Sequence, residues 1–291
     1  MPTWLPCPPD PASGIAGAYL AACQTELRAL KPGNVHIHAP GHAAQHGMTV
    51  DQFLASAEAT APILAQPCLT VGERILQAVA VTQEAAGCNT NLGIILLAAP
   101  LAQAALTGTG PLRDRLRRVL ADLTVTDAEL AFRAIALAAP AGLGRMEEHD
   151  VHAPATLTLL AAMQEARDRD RIAMQYATGY ADVFETGAPR LAELTHRGAS
   201  FEEATECLFL DLLATVPDTH VARKYGLEKA EKLRRRASEL RNELESDHAS
   251  KLIRTHLGDL DTELKYNGIN PGTTADIVVA SLLSLWLMRL P

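Results

Sequence analysis

The chain has 291 residues, of which 48% are apolar and only 4% are aromatic, and its formal net charge is -8. An acidic chain repels the phosphate backbone of nucleic acids at long range, so the charge argues against DNA or RNA as the main partner. The five cysteines stand singly, without a C-x-x-C pair, which argues against a disulfide framework or a structural zinc site and favours a reducing, cytoplasmic location.

Alanine and leucine dominate the apolar residues, which favours helices over strands. The two longest apolar stretches, 92–106 and 277–288, are shorter than the ~20 residues that a bilayer crossing requires, so they are typical of buried core helices and no membrane partner is expected. We therefore predict an all-α fold, a multi-helix globular bundle with a central buried helix pair. One catalytic domain is expected over residues 13–291, after a flexible Pro-rich arm over residues 1–12.

Capping residues and apolar residues at helical spacing predict a series of helices along the chain. In chain order they are a helix over 13–30, one opened by Thr49 and Gln52, one from Thr70 and Glu73 to Gly87, one over 92–106, a basic one from Pro111, one opened by Thr126 and Glu129, and helices over 157–169, 172–185, 201–213 and 227–257 before a last apolar helix. Loops are expected over 31–48 and 140–150. Few segments alternate with a period of two, so strands are not expected.

Three polar turns interrupt this pattern, at residues 31–35 (KPGNV), 87–93 (GCNTNLG) and 270–276 (NPGTTAD). The last two directly precede apolar helices. A helix start offers unpaired N–H groups and a partial positive charge, so such turns can bind phosphate without a large basic surface. The alternative is ordinary capping, with Asn91 or Thr273 at a helix end and Asp276 as the capping-box partner of Thr273.

A fourth polar segment, residues 218–226 (DTHVARKYG), combines an acid with two bases. Asp218 could bind a metal ion, while Arg223 and Lys224 could bind phosphate. A loop of mixed charge is the alternative interpretation.

Four histidines, His36, His38, His42 and His46, lie within eleven residues. Their spacing permits a transition-metal site but matches no zinc motif closely, which favours exposed or ligand-contacting side chains. The chain has neither a P-loop motif nor a dinucleotide-binding G-x-G-x-x-G, which argues against a P-loop ATPase and a Rossmann dehydrogenase. It also lacks G-x-S-x-G and H-E-x-x-H.

Taken in order, five segments resemble the triphosphoribosyl-dephospho-CoA synthase family, and the similarity spans most of the chain. The segments are residues 26–35 (ELRALKPGNV), 53–57 (FLASA), 87–93 (GCNTNLG), 218–226 (DTHVARKYG) and 270–277 (NPGTTADI). The resemblance implies an all-α transferase that moves the 5-triphosphoribosyl group of ATP to the 2'-hydroxyl of 3'-dephospho-CoA and releases adenine. The substrates would be small molecules, with Mg²⁺ accompanying ATP.

From the resemblance we expect two catalytic carboxylates: Asp218 to bind Mg²⁺ or act as the base, and Asp276 to shape the ribose or adenine pocket with the turn that contains Gly272 and Thr273. The expected contacts of the nucleotide are Lys31, Asn34, Asn89, Thr90, Asn91, Arg223 and Lys224. These residue types suit the chemistry, which needs a neutralised triphosphate, a stabilised oxocarbenium-like centre and a deprotonated acceptor.

The acceptor is left open, because the sequence departs from the family pattern, above all in the first loop, which could contact the acceptor. His36 stands where the family commonly has an acidic residue, and the family's G-A-H tract is reduced to Gly41-His42. Thr273 and Thr274 replace the usual Gly-Ser in the last turn. The KPGNV and NTNLG segments are more similar to a divergent branch in archaea and methylotrophic bacteria. The main alternative is therefore ribosyl phosphate transfer to a methanopterin-type pterin precursor.

Two further alternatives come from other classes of protein. The turns could be no more than caps in a non-catalytic helical binding protein. A helical phosphohydrolase would need ligands such as His149, Asp150 and His152 to converge with the early histidines. A homodimer is possible, because the apolar helices could be buried either within one chain or at a two-fold interface.

Overall fold

The computed structural model describes residues 11–38, 48–139, 154–246 and 250–290, without the side chains of 244–246 and 250–253. Within these ranges the chain forms α-helices and no strand, which confirms the all-α prediction. The helices are α1 (Pro11–Arg28), α2 (Val50–Leu64), α3 (Val71–Ala86), α4 (Leu92–Leu106), α5 (Leu112–Ala121), α6 (Val125–Ala138), α7 (Leu159–Ala166), α8 (Arg171–Thr178), α9 (Ala188–His196), α10 (Phe201–Thr215), α11 (Thr219–Tyr225), α12 (Leu227–Ser246), α13 (Ser250–Tyr266) and α14 (Gly272–Leu287). No helix in these ranges combines the length and the apolarity that crossing a membrane requires.

Helices α4 and α14 form the predicted central pair. Both are apolar on nearly every side, and most of their residues are buried. They pack against each other, and α14 also contacts α1, α8, α9, α10 and α11. A helix that is apolar all round can be stable in water only when other elements surround it, and this explains why α14 lies at the centre.

A proline inside α4 determines how α8 attaches to it. Pro100 has no N–H, so the carbonyl of Leu96 lacks its usual helical donor. The hydroxyl of buried Tyr176 donates to this oxygen at 2.6 Å, and Tyr180 donates to the next carbonyl, that of Leu97, at 3.1 Å. The two tyrosines thus complete the hydrogen bonding of the central helix.

Replacing Tyr176 by Phe is therefore expected to destabilise the protein by about 1–3 kcal/mol, because the carbonyl of Leu96 would be buried without a donor. Urea unfolding measures the loss. The matched control is Tyr266→Phe, since Tyr266 is 83% exposed and the change should have little effect. Equal stability of the two variants would contradict the proposed role of the Tyr176 hydroxyl.

The capping boxes of α2, α3 and α10 are confirmed at Thr49, Thr70 and Ser200. The capping pair predicted for α6, Thr126 with Glu129, is wrong. The helix is capped two residues earlier, by Thr124 and Asp127.

A contact with α3 accounts for this shift. The Asp127 carboxylate also accepts the N–H of Gly72 at 2.8 Å, so one side chain serves the starts of two helices. A Cβ on Gly72 would lie 2.6 Å from the Asp127 Cα, so the starts of α3 and α6 can approach this closely only because residue 72 is glycine. A threonine followed three residues later by an acidic residue occurs twice in this stretch, at residues 124–127 and 126–129. The contact with Gly72 favours the first of these two pairs.

Two predicted helices are each divided. The helix expected over 172–185 ends at Gly179, where Gly179 and Tyr180 both have positive φ, and a π-helical turn (Asp182–Gly187) follows. The helix expected over 227–257 is two helices, α12 and α13. Tyr225, before α12, donates to the carbonyl of Gly268, after α13, whereas one straight helix over 227–266 would separate these ends by about 60 Å. The chain therefore reverses direction between them.

Two predictions lie wholly or largely outside the described residues, namely the arm over 1–12 and the loop over 140–150. Of the predicted arm, only residues 11 and 12 are described, and they belong to α1.

Candidate active site

The polar turns predicted from the sequence meet at one cavity of about 640 Å³. Its wall includes the starts of α4 and α14, the end of α11 and the turn that follows α1. Eight of the predicted site residues line the cavity: Asn34, Asn89, Thr90, Arg223, Lys224, Gly272, Thr273 and Asp276. Lys31, Asn91 and Asp218 are among the residues that surround it but do not line it.

The closest approach in the site joins the start of α4 to Asp276 of α14. A Cβ on Gly93 would lie 2.1 Å from Asp276 Oδ2 and 2.6 Å from Cγ, so the carboxyl group occupies the space that a side chain at position 93 would need. The N–H of Leu92 donates to Asn89 Oδ1 at 3.1 Å. The N–H groups of Gly93 and Ile94 have no acceptor among the described residues, so the positive end of α4 remains open towards the cavity.

The carboxyl group of Asp276 is the most perturbed acid of the cavity. Burial raises its pKa well above the usual range, and the carboxylates of Asp218, Glu26 and Asp170 raise it further, while Arg223 opposes them. It receives no hydrogen bond from the described residues, so Arg223 is the one nearby group among them that favours its negative charge. A carboxyl group in this environment holds a proton more tightly than one in water, and it is suited to accept one during a reaction.

The predicted Mg²⁺ ligand, Asp218, caps two helices instead of facing the cavity. Oδ1 accepts the N–H of Val221 at 3.0 Å, at the start of α11, and Oδ2 accepts the N–H and the hydroxyl of Thr274, both at 2.8 Å, at the start of α14. The side chain is 1% exposed. Burial raises the pKa of Asp218, and these hydrogen bonds lower it. Its placement favours a positioning role over direct contact with substrate or metal.

Lys31 likewise holds the first polar turn together. Its ammonium group is 0% exposed and donates to the carbonyls of Glu26 at 2.7 Å and Val35 at 2.8 Å. It also forms an ion pair with the Glu26 carboxylate at 3.2 Å. Burial lowers the pKa of Lys31, and Glu26 opposes this. Asn34 lies in the same turn and, unlike Lys31, lines the cavity. Its side-chain amide donates to Asn270 Oδ1 at 2.9 Å, which connects the first polar turn to the third.

The capping alternative does not describe the side chains of Asn91 and Thr273. Asn91 occupies the N-cap position of α4 without a side-chain cap, and its Oδ1 accepts the hydroxyl of Thr82 of α3 at 3.0 Å. Thr273 Oγ1 accepts the N–H of His220 and the hydroxyl of Thr219, both at 3.2 Å. Both residues therefore join separate helices at the cavity.

The histidine cluster is not a metal site in the described part of the chain. His36 is 1% exposed and lies 3.3 Å from the Asp261 carboxylate, which also binds Lys265 at 3.0 Å. Burial lowers the pKa of His36. His38 contacts the carbonyl of Arg28, whereas His42 and His46 lie outside the described residues. Nowhere among the described residues are three His, Cys, Asp or Glu side chains placed to hold a metal ion.

Several cavity residues were not predicted. His220 lies within the DTHVARKYG segment, yet its cavity position depends on α14, because a Cβ on Gly272 would lie 2.7 Å from its Nδ1. Asp170 caps α8 and binds Arg223 at 3.3 Å. The cavity also has an apolar lining, which includes Leu96, Ile135, Leu137, Met163 and Ile172. Single apolar residues on helices carry no sequence signal for a cavity wall.

One open helix start, cationic side chains and a buried carboxyl group thus meet at a cavity of an all-helical protein, a combination typical of helical enzymes that bind anionic substrates. The family model described as ATP:dephospho-CoA triphosphoribosyl transferase matches residues 12–290. The chain therefore belongs to this family and is a transferase, which confirms the resemblance seen in the sequence. The phosphohydrolase and non-catalytic interpretations are not supported by this result.

A solved structure gives the same fold. A crystal structure from Archaeoglobus fulgidus, described as a candidate triphosphoribosyl-dephospho-CoA synthase, is 24% identical to this chain. The match covers 82% of this chain and 100% of that chain, with a TM-score of 0.64. At this identity the likeness supports the fold alone. A comparison with curated proteins gave no match.

Proposed function

We propose that the chain transfers the 5-triphosphoribosyl group of ATP to the 2'-hydroxyl of 3'-dephospho-CoA and releases adenine. The observation that carries this proposal is the meeting of Asp276, the open start of α4 and the cations of α11 at one cavity, in a member of this transferase family. Such a site combines anion binding with a carboxyl group suited to glycosyl transfer.

In the proposed reaction the bond between C1' of the ribose and N9 of adenine breaks, and adenine leaves with the electron pair and takes up a proton. The 2'-oxygen of the acceptor bonds to C1' and loses its proton. Positive charge develops at C1' during this exchange, and a carboxylate held nearby stabilises it. We assign this role to Asp276, whose raised pKa also suits it to take the proton of the acceptor hydroxyl.

The triphosphate is proposed to bind between the start of α4 and the end of α11. The open N–H groups of Gly93 and Ile94, the side chains of Asn89 and Thr90, and Lys224 supply hydrogen-bond donors and positive charge there. Lys31, Asn91 and Asp218 are proposed to act indirectly, by holding the turns that bear these groups. Their contacts with neighbouring helices support this positioning role.

Mg²⁺ remains a prediction, as the ion that ATP brings with it. Magnesium usually binds through one or two carboxylates together with substrate phosphates. The described residues do not form a protein metal site, and both oxygens of Asp218 already accept hydrogen bonds. We therefore assign no step of the reaction to the ion.

The apolar lining of the cavity is proposed to hold the less polar part of the acceptor. Leu96, Met163 and Ile172 offer contact area but no hydrogen bonds from their side chains, which suits an aliphatic arm better than a charged group. A pterin precursor as the acceptor, a homodimer and a cytoplasmic location all remain predictions.

Product analysis tests the proposal. The protein is incubated with ATP and Mg²⁺, with 3'-dephospho-CoA, with a pterin precursor or without an acceptor, and the bases and nucleotides are separated by chromatography. Adenine that appears only with 3'-dephospho-CoA supports the proposal. Adenine that appears only with the pterin precursor would show that the pterin precursor is the acceptor. The appearance of ADP or phosphate without adenine would contradict glycosyl transfer.

A further inference from the structure

A group of lysines lies at the edge of the cavity, around the ring of Tyr225. Lys224 lines the cavity, and its ammonium nitrogen is 5.1 Å from the centre of the Tyr225 ring. The ammonium nitrogen of Lys229 is 4.7 Å from the same centre. Neither lysine, nor Lys232 one turn further along α12, forms an ion pair with any described residue. Positive charge is therefore concentrated next to the site.

The backbone holds this group in place. The hydroxyl of Tyr225 donates to the carbonyl of Gly268, which attaches the ring to the end of α13. Gly226, with φ of 91°, separates α11 from α12 and redirects the chain, so that Lys229 returns to the ring. Lys232 follows Lys229 by three residues and therefore lies on the same flank of α12, where it is exposed.

Stability does not explain the arrangement. Two ammonium groups on one ring repel each other, and Lys229 lies in the first turn of α12, where the helix dipole disfavours positive charge. The attraction of the ring offsets only part of this cost. In a chain with a net charge of -8, lysines beside a cavity that have no ion-pair partner among the described residues are instead suited to bind an anion.

We propose that Lys224 and Lys229, which lie over the Tyr225 ring, form a phosphate-binding subsite together with Lys232 one turn further along α12, for a substrate that extends beyond the cavity. The inference rests on the proposed function, in which both substrates carry phosphate chains. Two cations of the described residues line the cavity itself, Arg223 and Lys224, and Arg223 is paired with Asp170 at 3.3 Å. A second phosphate chain therefore needs further cations, which α12 supplies.

Binding measurements with single-charge variants test the subsite. Lys229→Gln and Lys232→Gln are compared with Arg289→Gln, which removes the same charge from an exposed position that also lies over an aromatic ring, 5.8 Å from the centre of Phe201. Arg289 follows the far end of α14, about 24 Å along that helix from the start that lines the cavity, so the control lies outside the subsite. Calorimetry at low salt measures the affinity for ATP, inorganic tripolyphosphate, 3'-dephospho-CoA and inorganic pyrophosphate. Circular dichroism checks that each variant is folded.

Lys229→Gln is expected to weaken the binding of either the ATP and tripolyphosphate pair or the 3'-dephospho-CoA and pyrophosphate pair about tenfold, because one charged hydrogen bond is lost. The difference in affinity between this variant and the wild type should shrink at high salt. Weaker binding of ATP and tripolyphosphate would assign the subsite to the donor, and weaker binding of 3'-dephospho-CoA and pyrophosphate would assign it to the acceptor; either result supports the inference. Unchanged affinities, or an equal loss in Arg289→Gln, would overturn it. A failure of the proposed function would appear separately, as a wild-type chain that releases no adenine.

Discussion

Asp276→Asn is expected to lower the rate of adenine release by about 10²–10⁴-fold, the usual contribution of a general acid or base. The amide that replaces the carboxyl group has nearly the same shape, so it fits beside Gly93, but it carries no negative charge for C1' and accepts no proton. Chromatographic measurement of adenine at saturating ATP tests this. Asp122→Asn is the control, since Asp122 is an exposed carboxylate outside the cavity. An Asp276→Asn rate within threefold of the wild type would remove Asp276 from the proposed chemistry.

The same variant should be more stable than the wild type at alkaline pH. Burial and the neighbouring carboxylates raise the folded-state pKa of Asp276 above its ordinary value of 3.8, so the folded state holds this proton more tightly than the unfolded state does. This contribution to stability is fully present below pH 3.8 and is lost as pH rises through the folded-state pKa. The amide in the variant does not ionise, so the advantage of Asp276→Asn should grow between pH 4 and pH 8. Thermal unfolding of both chains at pH 4 and pH 8 measures this difference in stability. If the fold instead stabilised the ionised carboxylate of Asp276, the folded-state pKa would be lowered and the variant would lose stability relative to the wild type as pH rises.

Much of the fold follows from the sequence because local signals and tertiary structure agree. The apolar stretches that became α4 and α14 are too uniformly apolar to lie at a surface, so their central position could be predicted. The polar turns at residues 87–93 and 270–276 directly precede these two helices. Burying the helices side by side brings their starts together only when the two helices run in the same direction. The contact between Gly93 and Asp276 shows that they do, and the apolar pattern alone does not determine this direction.

The roles of individual polar residues could not be predicted in the same way. Lys31 and Asp218 have residue types that suit triphosphate and metal, but both are already bound to buried protein groups. The partners of Lys31 lie within five residues of it, at Glu26 and Val35, whereas Asp218 binds the N–H of Thr274 on another helix. His36 resembled part of a metal cluster, yet its partner Asp261 is more than two hundred residues away in the chain. A sequence shows which groups can bind a ligand, but only the packed structure shows which of them are already satisfied.

The spacing between α4 and α14 leads to the second large expected effect, which concerns Gly93. Alanine is normally the better residue inside a helix, by about 0.5–1 kcal/mol, so Gly93→Ala would stabilise an isolated α4. In the protein the new Cβ would lie 2.1 Å from Asp276 Oδ2. Either the carboxyl group turns away or the central helices separate, and we expect a destabilisation of about 1–3 kcal/mol together with a loss of adenine release comparable to that of Asp276→Asn.

A double-mutant cycle separates this contact from any other effect of the alanine. When Asp276 is already replaced by Ala, the Cβ at position 93 no longer meets a carboxyl group, so Gly93→Ala should become neutral or stabilising. Gly17→Ala in α1 is the matched control, because a Cβ there has no neighbour within 4 Å, and it should stabilise the chain in either background. Urea unfolding of the four chains of the cycle measures the coupling. If Gly93→Ala has the same effect with and without the Asp276 carboxyl group, then the close approach of α4 and α14 does not set the position of the proposed catalytic carboxyl group, and position 93 requires glycine for another reason.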